Sequence, residues 1–248
     1  MFLRKIIRFL KAYITGWANF CYTYIAYKKL CKRNQIAIDI GIFPRVLDKT
    51  FETSYDGHYV YHTSWAARCL KKINPKVHYD ISSSLFFCGI VSSFIPIKFF
   101  DYRPARLSLS DLSSEFGDLL SLSLGDNSLE SISCMHVIEH IGLGRYGDEL
   151  DVVAYAKAIN ELKRVTKIGG SILFVVPIGK EKTYFNAHRV FSLDTILENF
   201  VGFELIDFSM LPDDYHDSGL ISFPSAALVE KQRYACGMFW FKKNAVSN

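Results

Sequence analysis

Apolar residues along this chain fall into two alternating rhythms. Short apolar runs at 77–81, 95–100, 119–124, 132–138, 171–176, 203–208 and 237–241 have the length and density of strands buried on both faces. Between several of them apolar residues return every three or four positions, which predicts helices at 58–73, 84–93, 149–166 and 193–200. The stripe in 149–166 is Val152, Val153, Ala156, Ile159, Leu162 and Val165, with Gly169 and Gly170 as its stop; Asn74 and Pro75 close the helix at 58–73. Strands alternating with helices imply an α/β fold with a mainly parallel sheet covered on both faces. Only a polar loop, 211–224, separates the last two strands. A seven-stranded sheet with one antiparallel edge strand is therefore expected.

Ahead of this body lies a different pattern. Residues 1–35 hold eight of the 29 Lys and Arg and none of the 25 Asp and Glu, so the formal charge of +4 sits at the N-terminus and the rest is mildly acidic. A cleaved signal peptide would need a small-residue cleavage site after a short apolar core, and aromatics crowd the run instead. A membrane span needs about 20 apolar residues. Residues 12–27 give 16 without a charge, interrupted by Thr15, Asn19 and Thr23. The pattern fits best an amphipathic interfacial helix, with Lys and Arg at both ends and Trp17, Phe20, Tyr22 and Tyr24 at headgroup depth. A true span, or a helix packed on the body, are the alternatives. The expected division is a basic amphipathic helix at 1–35, a linker and cap helix at 36–75, and the α/β body at 76–248.

Composition narrows the class. Half the residues are hydrophobic and 15% are aromatic, enough for a sizeable core and against global disorder. Six cysteines are scattered with no C-x-x-C pair, which indicates neither a disulfide framework nor a cysteine-type zinc site and suits a reducing, cytoplasmic setting. With the cations confined to one aromatic-rich segment, nucleic acid is an unfavoured partner.

The densest chemistry lies in 128–148, SLESISCMHVIEHIGLGRYGD, where an apolar strand ends in His136, Glu139 and His140 before a glycine-punctuated loop. Three chemistries share these letters. Gly142, Gly144 and Gly147 spell G-x-G-x-x-G, but the next strand ends in Pro177 without the acidic residue that a dinucleotide fold needs. His136-Val137-Ile138-Glu139-His140 matches the H-x-x-E-H of inverted zinc proteases, a motif that needs a helix where this run reads as a strand end. The third reading takes in the flanks: Gly117-Asp118, the turn 122–128, the strand, Glu139-His140-Ile141, a helix ending in ELKRV, Gly169-Gly170 and the strand SILFVVP.

That order resembles class I S-adenosylmethionine-dependent methyltransferases, closely over about 77–180 and in element order elsewhere. More narrowly, HYVYHTSWAARC, HYDISSS, DYRP, CMHVIEHIGLGRYGD and FNAHRVF are similar to an uncharacterised methyltransferase-like family, a domain of unknown function found in nematodes and in bacterial surface-polysaccharide gene clusters. The resemblance implies a Rossmann-like class I methyltransferase fold and S-adenosylmethionine as cofactor. It also implies O-methylation of a sugar or other polar acceptor, a small molecule or a lipid-linked glycan precursor; the N-terminal helix would place this work at the inner face of a membrane. One departure stands out: the first loop is Asp80-Ile81-Ser82-Ser83-Ser84, with serines where the family carries glycines, and serine resists positive φ. A non-catalytic scaffold of the same fold and a metal-dependent hydrolase using H-x-x-E-H are the rival readings.

Site roles follow from the resemblance. Asp80, Ser82, Ser83 and Ser84 would hold the amino-acid end of the cofactor, Asp101 its ribose, Asp118 and Leu119 its adenine, with His136 beside them. The plainer alternatives are a helix cap for Asp80, a partner for Arg103 at Asp101 and a turn at Asp118. His136, His140 and Arg145 would serve catalysis, an imidazole being suited to take a hydroxyl proton near neutral pH. Some methyltransferases of this fold bind a divalent metal here, so His136, Glu139, His140 and His188 form a candidate ligand set of the type favoured by Zn, Mn or Fe. Arg145, Tyr146 and Asp148 would grip a polar acceptor, or close their loop by a salt bridge. His62 and Trp65 would cap the pocket.

Overall fold

The computed structural model describes residues 2–245, apart from the side chains of Phe2, Leu3 and Lys5. It divides into two compact units, Met1–Tyr55 and Asp56–Asn248. Met1 and 246–248, which the expected 1–35 and 76–248 include, lie outside the described residues.

In the first unit α1 (Phe2–Arg33) carries a ladder of rings, Phe9, Tyr13, Trp17, Phe20 and Tyr24, with successive centroids 5.8–6.3 Å apart. Spacing of three and four residues sets these rings on one helix face. Ile7, Leu10, Ile14 and Tyr22 are exposed as well. Among the described residues, no helix is long and apolar enough to cross a membrane. Residues 34–55 form no regular element and return to α1 at Gly16, where a Cβ would meet the Val46 carbonyl oxygen at 1.9 Å.

The second unit starts with α2 (Gly57–Ile73), capped by the Asp56 carboxylate on the Tyr59 amide and closed by Asn74 in the left-handed region. There follow β1 (His78–Ser82), α3 (Leu85–Val91), β2 (Ile97–Asp101), β3 (Leu112–Phe116), β4 (Leu129–Met135), α4 (Ala154–Val165) and β5 (Thr166–Ile178). A hairpin, β6 (Lys182–Tyr184) and β7 (His188–Val190), leads to α5 (Leu193–Asn199), β8 (Phe203–Leu211), α6 (Tyr215–Ser218), β9 (Ile221–Ser222), α7 (Ala226–Glu230) and β10 (Ala235–Lys243). The sheet order is β3-β2-β1-β4-β5-β10-β8-β9, parallel through β5. The reversed strand β10 lies inside the sheet, antiparallel to both β5 and β8, and the two-residue β9 is antiparallel at the edge.

Two hydrophobic layers follow from the alternation of side chains along each strand. From β5, Ile172, Phe174 and Val176 pack with Ala158, Ile159 and Leu162 of α4 and with Phe200 and Phe241. Leu173 and Val175 point the other way, to Trp65, Ala66, Cys69 and Leu70 of α2 and Phe87 and Val91 of α3. Each Leu, Ile, Val or Phe among them contributes about 1.5–3 kcal/mol on burial. Trp65 is thus core, its indole N–H donating to Asp207 at 3.0 Å.

Three expected elements are corrected. The third strand is Leu112–Phe116, and 119–124 is a turn. Its apolar Leu119 and Leu122 are buried as anchors, and Arg164 of α4 holds the backbone. The guanidinium pairs with both Glu161 oxygens and donates to the carbonyls of Leu122 and Leu124 and to Asp126, while Leu122 N–H returns to Glu161. The strand read as 132–138 ends at Met135. The helix read as 149–166 begins only at Ala154, because Asp151 binds the Val153 amide and Lys157 and keeps 149–153 in the loop.

Arg164→Ala is expected to cost about 1–3 kcal/mol, since it strands two half-buried carbonyls and a carboxylate. Lys167→Ala, which loses only an exposed pair with Glu130 at 3.9 Å, is expected to stay within about 0.5 kcal/mol. Urea unfolding of the two variants checks this, and equal losses would refute it.

Candidate active site

The strand order turns outward in both directions from β1 and β4. The crevice beyond the carboxyl ends of such a pair is where open α/β sheets take ligands. Ser82 of β1 stands in register with Met135 of β4, so the segments leaving both strands meet there, Ser83 N–H donating to the Met135 carbonyl at 3.3 Å.

A buried relay fastens the two strands below the crevice. His78 is fully buried, with Nδ1 on Ser131 at 2.8 Å and Nε2 on Ser133 at 2.8 Å. Ser133 donates to one oxygen of Asp80, and Ser82 (2.5 Å) and Cys88 (3.0 Å) donate to the other. Burial pushes the Asp80 carboxyl up despite these donors, and pushes His78 down to about 3. Both Asp80 oxygens are thus taken within the protein, which corrects its expected place at the cofactor. It is not the helix cap either: Ser84 caps α3 through the Phe87 amide. None of Ser82, Ser83 and Ser84 has positive φ, so the loop needs no glycine. The Ser83 hydroxyl meets the Tyr59 hydroxyl at 2.7 Å.

His136 follows the last residue of β4 at φ +54, a left-handed conformation uncommon for non-glycine residues and often found at functional sites. Its Nδ1 lies 2.8 Å from Glu139 Oε1 and its Nε2 3.5 Å from Cys236 Sγ. Burial opposes a proton on His136, but Cys236 and Glu139 outweigh it and hold the imidazole well above its usual range. Residues Ile138–His140 form a 3-10 turn, so His136 and His140 do not share a helix face as an inverted zinc protease requires. His140 donates from Nδ1 to the Ala187 carbonyl at 2.6 Å, and Arg145 reaches the same carbonyl at 3.2 Å.

From α2 come His58 and His62, one turn apart. The His58 ring stacks on His136 at 5.4 Å and on Tyr234 at 5.2 Å, and His62 meets His136 edge-on at 5.0 Å. Burial, and then the neighbouring His136, lower His58 to about 4 and His62 to about 3. Together Asp56, His58 and Tyr59, the turn carrying His136, Glu139 and His140, and Tyr234 line a cleft of about 190 Å³.

The loop after the turn is braced from within. Gly142, at φ +76, lets the chain pass where a Cβ would meet the Asp151 carbonyl oxygen at 2.1 Å. Asp148 accepts from the amides of Gly142, Gly144 and Tyr146, which takes it out of substrate binding and closes the loop without a salt bridge. Arg145 lies 5.0 Å over the exposed Tyr146 ring. Asp101 ends β2 with one oxygen on the Arg103 amide, not its guanidinium. Asp118 turns onto the Leu120 amide, and Leu119 is core. His188 opens β7 and packs on Tyr234 and Tyr184. Of the expected metal set, only His136 belongs to the group whose donor atoms lie within 4.8 Å of one another; the others in that group are His58 and Cys236.

Residues 104–224 match the model of a family described as "Caenorhabditis protein of unknown function, DUF268". No curated protein matches the chain in sequence. Among solved structures it is similar to the N-methyltransferase NodS of Bradyrhizobium japonicum in complex with S-adenosyl-l-homocysteine, at 14% identity over 82% of this chain and 92% of that one, TM-score 0.54. It is also similar to the 1,6-didemethyltoxoflavin-N1-methyltransferase of Burkholderia thailandensis (10% identity, 76% and 82%, TM-score 0.53). A third similar structure is YcgJ of Bacillus subtilis (14%, 75% and 99%, TM-score 0.52). The chain has the class I methyltransferase fold.

Within this methyltransferase fold the family match spans the His136 turn and its loop but not α2 or β10. What sequence reasoning missed comes from α2, which supplies His58 and Tyr59, and from β10 with the residue before it, which supply Cys236 and Tyr234. The pair His58 and His62, four apart on a predicted helix, was the one available signal. Nothing near Cys236 marks its approach to His136 across 100 residues.

The buried His78 gives a test of the relay. Its folded pKa of about 3 against 6.5 means that the unfolded chain binds a proton the folded one refuses, so stability rises with pH across that window and is lost as pH falls. His78→Phe is expected to flatten this slope in unfolding free energy, while lowering stability at neutral pH by leaving Ser131 and Ser133 unpaired. Slopes equal in the two proteins would sink the assignment of a neutral, buried imidazole.

Proposed function

We propose that this chain is an S-adenosylmethionine-dependent methyltransferase that O-methylates a sugar or similar hydroxyl-bearing acceptor of a surface glycan or its lipid-linked precursor. The observation that carries the reading is the crevice between β1 and β4, where a strain-free serine loop meets a turn bearing imidazoles. The Asp101 carboxylate ends the next strand over. In this reading Ser83 and Ser84 hold the amino-acid end of the cofactor, Asp101 the ribose, and the turn at Asp118 and Leu119 borders the adenine. Asp80 acts from beneath, fixing Ser82 and the start of α3. Bound there, the cofactor supplies an electrophilic methyl group on a sulfonium.

The acceptor side falls to the cleft. Both nitrogens of His136 are taken, by Glu139 and Cys236, so the base is His140, whose Nδ1–H is fixed on the Ala187 carbonyl and whose Nε2 is left as the acceptor. Such a base needs only hydrogen-bond reach of the hydroxyl as the methyl arrives. Arg145, held on Ala187 beside His140, and the exposed Tyr146 offer a cation and a ring face to a polar acceptor. The membrane part rests on α1, with its ring ladder, exposed apolar residues and basic ends.

Calorimetry with S-adenosylmethionine and S-adenosylhomocysteine is expected to give micromolar binding, weakened about tenfold in Asp101→Asn, a loss of about 1.4 kcal/mol. No heat up to millimolar cofactor would remove the enzyme reading. For the membrane part, the chain should co-sediment with anionic vesicles and be released by salt. Arg4, Lys5, Arg8 and Lys11 changed together to Glu should abolish the binding, each basic residue contributing about 1 kcal/mol. Equal binding to neutral vesicles would count against it.

A further inference from the structure

We propose a zinc-class metal site built by His58, His136 and Cys236, with its fourth position open to the cleft. The three residues come from three distant places, the first turn of α2, the residue just after β4 and the second residue of β10, and their donor atoms lie within 4.8 Å of one another. A tetrahedral zinc with bonds of about 2.0–2.3 Å holds its donors about 3.3–3.8 Å apart. The His136 Nε2 to Cys236 Sγ separation of 3.5 Å already meets that. His58 is half-buried and borders the cleft, so a ring shift of roughly 1 Å closes the set.

The surroundings have the form that such ligands require. Glu139 Oε1 takes Nδ1 of His136, fixing the tautomer that turns Nε2 toward the cysteine, the carboxylate–histidine arrangement that stands behind metal-bound imidazoles. Two polar atoms around the cluster have no protein partner. One is Nε2 of the fully buried His62, whose Nδ1 is taken by the His58 carbonyl; the other is Oε2 of Glu139, at 1% exposure. Unmet polar atoms at this depth are expensive and call for a partner that the chain itself does not supply. Two imidazoles with a thiolate suit zinc or a similarly soft divalent ion, and exclude magnesium and calcium, which want oxygen. Three protein donors with an open fourth position is the form of a zinc that meets substrate, and His140 and Tyr234 border the same cleft. Uptake displaces to solvent the proton that lies between His136 Nε2 and Cys236 Sγ. The site stands whether or not the chain transfers methyl groups, since metal uptake is measured without cofactor.

The full chain, stripped with chelator and dialysed, is titrated with zinc against a chromophoric chelator, and separately with cobalt(II) followed by absorption. One ion per chain is expected, together with a thiolate-to-cobalt charge-transfer band. His58→Ala and Cys236→Ser should each weaken zinc about 100-fold or more, and the latter should erase the band. Glu139→Gln should weaken zinc about 10- to 100-fold with the band retained, and His188→Ala should bind as the parent does. If Cys236→Ser does not fold, His58→Ala carries the test from the half-buried start of α2. A chain that takes up no stoichiometric zinc overturns the site. So does zinc that survives both ligand substitutions, or that is lost with His188→Ala.

Discussion

The seam between β1 and β4 holds the rest in place. Parallel pairing alone would align the strands, but the relay from His78 through Ser133 to Asp80, with Ser82 and Cys88 closing it, adds side-chain bonds in a place with no water to substitute. A buried polar network is favourable when every member is satisfied and costly when one is lost. Here both nitrogens of His78 and both oxygens of Asp80 are satisfied. The relay therefore fixes the register of the two strands and ties the start of α3 to them through Cys88.

What the seam fixes, the outer elements use. β4 leaves the sheet at Met135, and the chain turns at once through a left-handed His136, so the imidazole lies across the top of the sheet and not along it. β10, running back between β5 and β8, delivers Cys236 to the same height, and α2, packed on the opposite layer through Trp65 and Leu70, lowers His58 and His62 onto it. Three elements that make few contacts with each other in sequence terms thus meet over one strand end. The loop of Gly142 to Asp148, pinned by its own aspartate, walls one side without contributing that aspartate to the cleft.

Much of this was legible in the chain. The alternation of buried runs and helical stripes gave the α/β class, and the strands ending near Asp101 and Pro177 lie where the pattern put them. The failures have physical causes. Residues 119–124 are as apolar as a strand, but hydrophobicity reports burial and not extension, and the conformation there is decided by Arg164, forty positions on. The serine loop looked hostile to close approach because serine avoids positive φ, yet the loop never enters that region. Asp80 was read as a ligand because it ends a strand, and only its three donors, one of them 53 residues away, show that it faces inward. Cys236 looked like one more buried cysteine, since no local spacing encodes a contact closed by an antiparallel strand.

The position of β10 in the chain also bears on how the site comes into being. Cys236 is supplied by the last strand in the described sequence, and it enters between two strands made earlier. During synthesis from the N-terminus, β1 to β5 can pair and the relay can close while β8 has only the two-residue β9 beside it and the imidazoles have no sulfur beside them. The cluster is then assembled in a single late step, when the closing strand slots in. A nascent or truncated chain would have most of the sheet and none of the finished site, so competence at this centre reports that the whole sheet has been built.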